Sequence, residues 1–426
     1  MMKILIVINE YPPYGLCGYP LLCEEVVREL NLRGYKVHVL TGKAGCNGVN
    51  IYEENISRIL EFCPHNIKNE PDSYRLLDLF RWYKREWFEQ VRLKKLLRQF
   101  NPDVISMWTT RGLSYSVGIT LMNQSIPFTG YVSGWWLTHH NQGAEFRKQY
   151  QFWQWNSHSV VLNSIKKYFK QFLLLQIPID FQTLCFDRIA FNTRLTELAH
   201  KNFKTCNQST DIICDSIPVE PFLAQPLPDL SKPRKIVFIG RIEPYKGLLT
   251  LIKACTELQK VNQFFDLELS IIGWKCNLDY FEKIEYAIAK SPFPEAYHFI
   301  DAVDYKELPS ILSKYNLMVV PSINDPLPRS SAEALAAGLP LIVSDSTGIA
   351  SIVEHGKTAL IFPTEDIISL ANKIRLIMED SQLACQLQEN GRVLAKRYFS
   401  TERMVDELEP FFKSCITECQ AHLQIE

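Results

Sequence analysis

Short apolar runs alternate with amphipathic stretches along most of the chain. Lys3–Ile8 is apolar after its first residue and carries no polar face, which predicts a strand buried on both sides, as in a parallel sheet. A loop of Pro12, Pro13, Gly15 and Gly18 follows. Leu21–Arg33 then places apolar residues at 22, 26, 27 and 30 and stops at Gly34, the spacing and ending of a helix. Tyr35–Leu40 reads as the next strand and completes a βαβ unit. Further strands are expected at Asp103–Trp108, Pro127–Val132, Ser159–Leu162, Asp187–Phe191 and Asp211–Cys214. Pro218, Pro221, Pro226, Pro228 and Pro233 then crowd together, which predicts a stiff linker. The alternation restarts beyond it, with strands at Lys235–Gly240, Leu267–Gly273, Tyr297–Ile300, Leu317–Pro321 and Leu341–Ser344. A helix is expected between the first two, from about Gly247 to Lys260. The end of the chain, Ser400–Ile425, is a long helical pattern without a strand partner.

This pattern predicts an α/β protein of two doubly wound, Rossmann-like domains facing each other across a cleft. The expected boundaries are 1–217 for the first domain, 218–234 for the linker, 235–399 for the second domain and 400–426 for a helical tail that crosses back.

Charge changes the picture locally rather than globally. The 46 Lys and Arg nearly balance 47 Asp and Glu, so bulk attraction to nucleic acid is excluded. Basic residues nevertheless gather in Tyr74–Phe100, interleaved with Trp82, Tyr83, Trp87 and Phe88. Two readings fit: an amphipathic helix with its apolar face inward, or a peripheral contact with anionic lipid at the inner face of a membrane. No apolar run approaches the roughly 20 residues of a membrane span. Ile4–Ile8 is too short for the secretory core of about 7–15 apolar residues. A cytoplasmic protein is therefore expected. The twelve cysteines form no C-x-x-C pair, and Cys415 and Cys419, one helical turn apart, have no His at zinc spacing. They read as reduced, mostly buried thiols, with no metal site.

Three strand-to-helix segments of the second half carry candidate chemistry. In Phe238–Gly247, a strand ends at Gly240 and Arg241 and Lys246 follow around a turn. Ligands bind at the carboxyl ends of strands in open α/β sheets, and two cations there suit a diphosphate. Two ordinary surface cations are the bland alternative. In Val319–Pro340, a polar loop carries Asp325 and runs through Leu327, Pro328 and Arg329 into a helix starting near Ser330. Free amides at that start favour an anion. Glu333, placed in the first turn, either caps the helix or accepts from a ribose diol. The third segment, Val343–Ala350, is another loop able to close on the same crevice.

Gly240-Arg241, Lys246-Gly247, the acid pair Asp325 and Glu333 eight residues apart, and Ala334–Pro340 together resemble the retaining glycosyltransferases of family four, of GT-B fold. Asp325 stands where that family usually has Glu, and Pro328 where Gly is common. The resemblance implies a nucleotide diphosphate sugar, with UDP or GDP as its nucleotide, bound mainly by the second domain. It implies diphosphate contacts from Arg241 and Lys246, a ribose contact from Glu333 and a donor-sugar contact from Asp325. It also gives Gly240, Leu327, Pro328, Arg329, Ser330 and the first-domain glycines Gly15 and Gly18 donor-side roles. A tight turn without a ligand remains open for Gly15 and Gly18. Relatives often place a His at the end of a central first-domain strand. His139 and His140 are the nearest counterparts, able to orient an acceptor hydroxyl or to be ordinary loop residues. The neighbouring Trp135 and Trp136 read as core packing in preference to sugar stacking.

The expectation is a metal-independent, retaining transferase without a resident cofactor. It would act on a glycan, lipid-linked or small-molecule hydroxyl in polysaccharide or glycoconjugate biosynthesis. A nucleotide-sugar epimerase, a phosphorylase and a non-catalytic donor-binding subunit are the competing readings.

Overall fold

The computed structural model describes the chain apart from residues 16–17, 44–50, 62–75, 138–158, 173–183, 201–209, 232–233, 261–263, 265 and 424–426. It divides into two compact units. The first comprises Met1–Asn192, Thr196–Ile213 and Val405–Glu426, and the second Thr193–Leu195 and Cys214–Met404.

In the first unit, β1 (Lys3–Ile8) lies inside the sheet, with Ile4–Ile8 fully buried. It pairs in parallel with β2 (Lys36–Gly42) and, across the sheet's switch point, with β5 (Val104–Met107). A short hairpin of β3 (Ile51–Glu53) and β4 (Ile56–Leu60) extends the sheet beyond β2. On the other side come β6 (Phe128–Val132), β7 (Arg188–Phe191) and β8 (Thr210–Ile212). The order is β3-β4-β2-β1-β5-β6-β7-β8, parallel except for the β3–β4 pair. Helix α1 (Gly18–Leu32) buries Leu22, Cys23, Val26, Val27 and Leu30, the face read from its periodicity. Helix α2 (Leu76–Phe100) packs Leu93, Leu96, Leu97 and Phe100 into the core shared with Val117 and Leu121 of α3 (Tyr115–Met122).

The second unit is a six-stranded parallel sheet. Its strands are β9 (Lys235–Ile239), β10 (Glu268–Ile272), β11 (Tyr297–Ile300), β12 (Leu317–Val320), β13 (Leu341–Ser344) and β14 (Leu360–Phe362). The order β11-β10-β9-β12-β13-β14 reverses between β9 and β12, the doubly wound arrangement whose ligand crevice lies at that reversal. Every residue of β12 and β13 is buried, as expected of strands covered on both faces.

Three expectations need correction. Ser159–Leu162 is not a strand: Val160–Phe172 forms an amphipathic helix, and the Ser159 hydroxyl accepts from the Leu162 amide at 3.3 Å. The apolar Val160-Val161-Leu162 run is simply the first turn of a 3.6-residue pattern. The proline-rich stretch is not a free linker. Val219–Leu223 is a helix, and Ile217, Val219, Phe222 and Leu230 are buried within the second unit. Burial of those apolar residues outweighs the stiffness of the prolines between them. The cysteines are not all reduced: Cys185 is disulfide-bonded. The expected C-terminal helix is present as Thr401–Leu423; it begins among residues of the second unit and belongs to the first from Val405 on. Within the first unit, Asp406 and Glu409 of this helix hold Arg33 at 2.6 and 3.0 Å, and Glu418 holds Arg188 at 2.8 Å.

Candidate functional site

The chemistry-bearing loops of the second unit gather at the carboxyl ends of β9, β12 and β13. After β9 the chain turns through Pro244–Lys246 to Gly247, whose φ of +70° is left-handed. An added Cβ there would lie 1.9 Å from the Pro321 carbonyl oxygen, so glycine lets the β9 loop pass the end of β12. The Ile323 amide donates to the Tyr245 carbonyl at 2.6 Å and fastens the two loops. Gly348 does the same for the third loop. Its amide donates to the Asp325 carbonyl at 2.9 Å, and a Cβ would meet the Pro326 oxygen at 1.7 Å.

This scaffold brings Lys246 to Asp325, with Nζ 2.6 Å from Oδ2. Asp325 is buried rather than at an exposed loop tip. Burial alone would lower the Lys246 ammonium, but the carboxylate beside it more than offsets this and holds the lysine above its ordinary value. Tyr245 lies between the two cations of the segment. Its ring centroid is 5.5 Å from the Arg241 guanidinium and 5.2 Å from the Lys246 ammonium, and its hydroxyl accepts from Arg241. Arg241 is also 3.6 Å from Glu243 and remains half-exposed. Gly240 is not demanded by packing: a Cβ would find only Phe238 and Lys246 at ordinary contact distances of 3.6 Å and beyond.

The helix after the second loop spans Arg329–Ala337. Pro328 precedes it and supplies no side-chain cap. The first amides, Arg329 and Ser330 among them, have no partner within the helix by position. Glu333 lies in the second turn, not the first, and does not cap the helix. It is buried, and Oε1 accepts from Arg329 Nε at 3.1 Å. Burial pushes its carboxyl up, while Arg329 and a hydrogen bond from Tyr305 pull it partly back. The guanidinium of Arg329 also donates to the Tyr305 hydroxyl at 2.8 Å and stacks 5.0 Å over that ring. Arg329 is thus engaged with Glu333 and Tyr305, a partnership that sequence reading missed. The signal was present: Arg329 and Glu333 stand at helical i,i+4 spacing.

Gly15 and Gly18 belong to the first unit. A Cβ on Gly15 would meet that of Glu10 at 2.7 Å, so packing alone accounts for glycine there. Gly18 opens α1. Sequence reading also missed Arg58 in β4, whose side chain is buried and donates to the Tyr11 carbonyl at 2.9 Å. It also pairs with Glu53 at 2.8 Å and lies under the rings of Tyr11 and Tyr14, pinning the loop after β1. His139 and His140 lie outside the described residues. Trp136 is buried in the first unit's core, edge-on to Phe186. Asp187, Cys415 and Cys419 in the first unit bring metal-capable atoms within 4.8 Å of one another. Burial pushes the Cys419 thiol up to about 11, so it stays protonated at neutral pH.

Residues 221–394 match the family described as glycosyl transferases group 1. That group 1 segment contains Arg241, Lys246, Asp325 and Glu333 together. Among curated relatives, glycogen synthase of Mycobacterium tuberculosis is 29% identical over 168 residues, 39% of each chain. The 2-deoxystreptamine N-acetyl-D-glucosaminyltransferase of Niallia circulans is 24% identical over 234 residues, 55% of this chain and 56% of its own. The chain thus spans between about two fifths and somewhat over half of these relatives' lengths. Among solved structures, sucrose-phosphate synthase from Thermosynechococcus elongatus is similar over 98% of this chain and 100% of its own, with a TM-score of 0.69 and 17% identity. Anabaena HepE in complex with UDP and glucose covers 97% of this chain and 100% of its own, with a TM-score of 0.67 and 15% identity. These likenesses span both units and show a GT-B fold: two Rossmann-like domains and a C-terminal helix.

Proposed function

We propose that the protein is a retaining glycosyltransferase that moves a sugar from a nucleotide diphosphate sugar to a hydroxyl acceptor. The observation that carries this reading is the Lys246–Asp325 pair at 2.6 Å, set at the reversal between β9 and β12 beside Arg241. A diphosphate entering there meets two cations, and Lys246 is held protonated throughout the neutral range. Asp325 is then the acceptor for donor-sugar hydroxyls. Glu333, oriented by Arg329 and Tyr305, accepts from the ribose. The amides of Leu327, Arg329 and Ser330 and the open face of Gly240 complete the donor side. UDP and GDP are the nucleotides proposed, in line with the UDP complex of the similar Anabaena protein.

In the proposed reaction the bond from the anomeric carbon to the diphosphate oxygen breaks. A bond to the acceptor oxygen forms on the same face, and the acceptor proton passes to the leaving phosphate oxygen. The charge that develops on the diphosphate is what Arg241 and Lys246 stabilise. The acceptor is proposed to be a glycan, lipid-linked or small-molecule hydroxyl in polysaccharide or glycoconjugate synthesis within the cytoplasm. No metal or cofactor is required.

Incubation with a panel of nucleotide sugars and acceptors, with chelator present, tests this. Nucleotide release with a product anomer matching the donor is expected, and Lys246→Ala and Glu333→Gln should each lower turnover by on the order of a hundredfold. Near-normal turnover in both variants, or an inverted anomer, would sink the reading.

A further inference from the structure

The exposed face of α2 (Leu76–Phe100) is the most unusual surface in the described part of the chain. An ordinary amphipathic helix turns its apolar residues inward and its charges outward. Here the inward face carries the described acids. Glu86 accepts from the Ser114 hydroxyl at 2.8 Å, and Glu89 accepts from the Glu61 amide at 2.7 Å. The outward face keeps large apolar groups in water: Trp87 is 48% exposed, Phe88 45%, Val91 50% and Leu77 68%. Cations flank them, with Arg81, Lys84, Arg85, Lys94, Lys95 and Arg98 all exposed. Among the described side chains of this helix, no acid is exposed.

We infer that this face docks on an anionic lipid bilayer. The helix is about 37 Å long at the usual rise and would lie in the plane of the headgroups. No described helix is long and apolar enough to cross a membrane. Trp87, Phe88 and Val91 enter the boundary between headgroups and chains, while the lysines and arginines reach the phosphates around them. Charge selects this occupant. A second copy of the chain, paired through the same face, would set cations against cations. A soluble polyanion would leave Trp87, Phe88 and Leu77 exposed.

The test is sedimentation of the full chain with vesicles of phosphatidylcholine alone or mixed with phosphatidylglycerol, across a salt series. Binding only to the mixed vesicles, weakening as salt rises, is expected. Each cation near an anionic leaflet strengthens binding by about fivefold. Reversing Lys84, Lys94 and Lys95 to Glu together should therefore weaken binding by a hundredfold or more, on that ~fivefold factor. Trp87→Ser with Phe88→Ser should abolish the salt-resistant part. All these positions are exposed, and unchanged thermal melts will verify folding. The salt series on the unaltered protein stands apart from the variants. Equal binding to neutral vesicles, or no binding to either, overturns the inference. So does heparin binding without vesicle binding, or lipid-free self-association that the Trp87 and Phe88 changes remove.

Discussion

The two units place polar groups at the same end of similar sheets but hold them by different means. In the second unit the polar groups sit on short loops and one helix turn, and backbone bonds fasten those loops to each other. Lys246 and Asp325 come from loops fastened by an Ile323–Tyr245 backbone bond, and Arg329 grips Glu333 one turn along a single helix. In the first unit single side chains do the holding, each reaching a backbone carbonyl of another element. Arg58 reaches from β4 to the Tyr11 carbonyl, and the Tyr19 hydroxyl lies 2.6 and 2.8 Å from the Trp108 and Tyr131 carbonyls and donates to one of them at a time. A site assembled from short contiguous segments can be read from the sequence. One assembled from single residues far apart cannot.

Within the second unit, two glycines of one loop should behave oppositely. Gly247→Ala sets a Cβ against the Pro321 oxygen at a left-handed φ and should destabilise the second unit by ~3 kcal/mol or more, read by urea unfolding. Gly240→Ala meets no such obstacle and should change stability by no more than ~0.5 kcal/mol, while weakening nucleotide binding. Equal stability losses would mean that the β9 loop is not built around Gly247.

Buried polar groups of the first unit also predict a distinctive acid response. The His200 ring is buried, its Nδ1–H donates to the Thr196 carbonyl at 2.5 Å, and burial lowers its pKa to about 4. The folded state therefore favours the neutral imidazole. Its contribution is complete above pH 6.5 and is lost as pH falls toward 4. That loss amounts to about 3 kcal/mol at most for this group. Glu89 has the opposite sign, since burial raises its carboxyl. The measurement is thus a difference in melting temperature against pH between the protein and His200→Gln. The variant should show a flatter acid slope, and identical slopes would refute the burial argument.

Legibility followed the same division. The parallel strands of the second unit, from β9 to β13, stood out because each is a short apolar run bounded by turn residues. β14 was not read, nor was the β3–β4 hairpin, whose strands carry Glu53, Ser57 and Arg58 among their apolar residues. The proline-rich stretch misled because proline marks a break in hydrogen bonding, not a break in burial, and Phe222 lies fully inside. Arg241, Lys246, Asp325 and Glu333 were expected from their motifs, and the fold pairs Lys246 with Asp325 and Glu333 with Arg329. The first pairing was not legible, because Lys246 and Asp325 are 79 positions apart. Arg58 was visible only as a charge inside an apolar strand, and its partners depend on the fold.

The central claim is that Lys246 at the β9–β12 reversal binds a nucleoside diphosphate. Calorimetric titration of UDP and of GDP into the protein and into Lys246→Met tests it most directly. Binding of at least one nucleotide is expected, weakened in the variant by about tenfold or more, or about 1.4 kcal/mol. Equal affinity in the two proteins, or no binding of either nucleotide, would contradict the account.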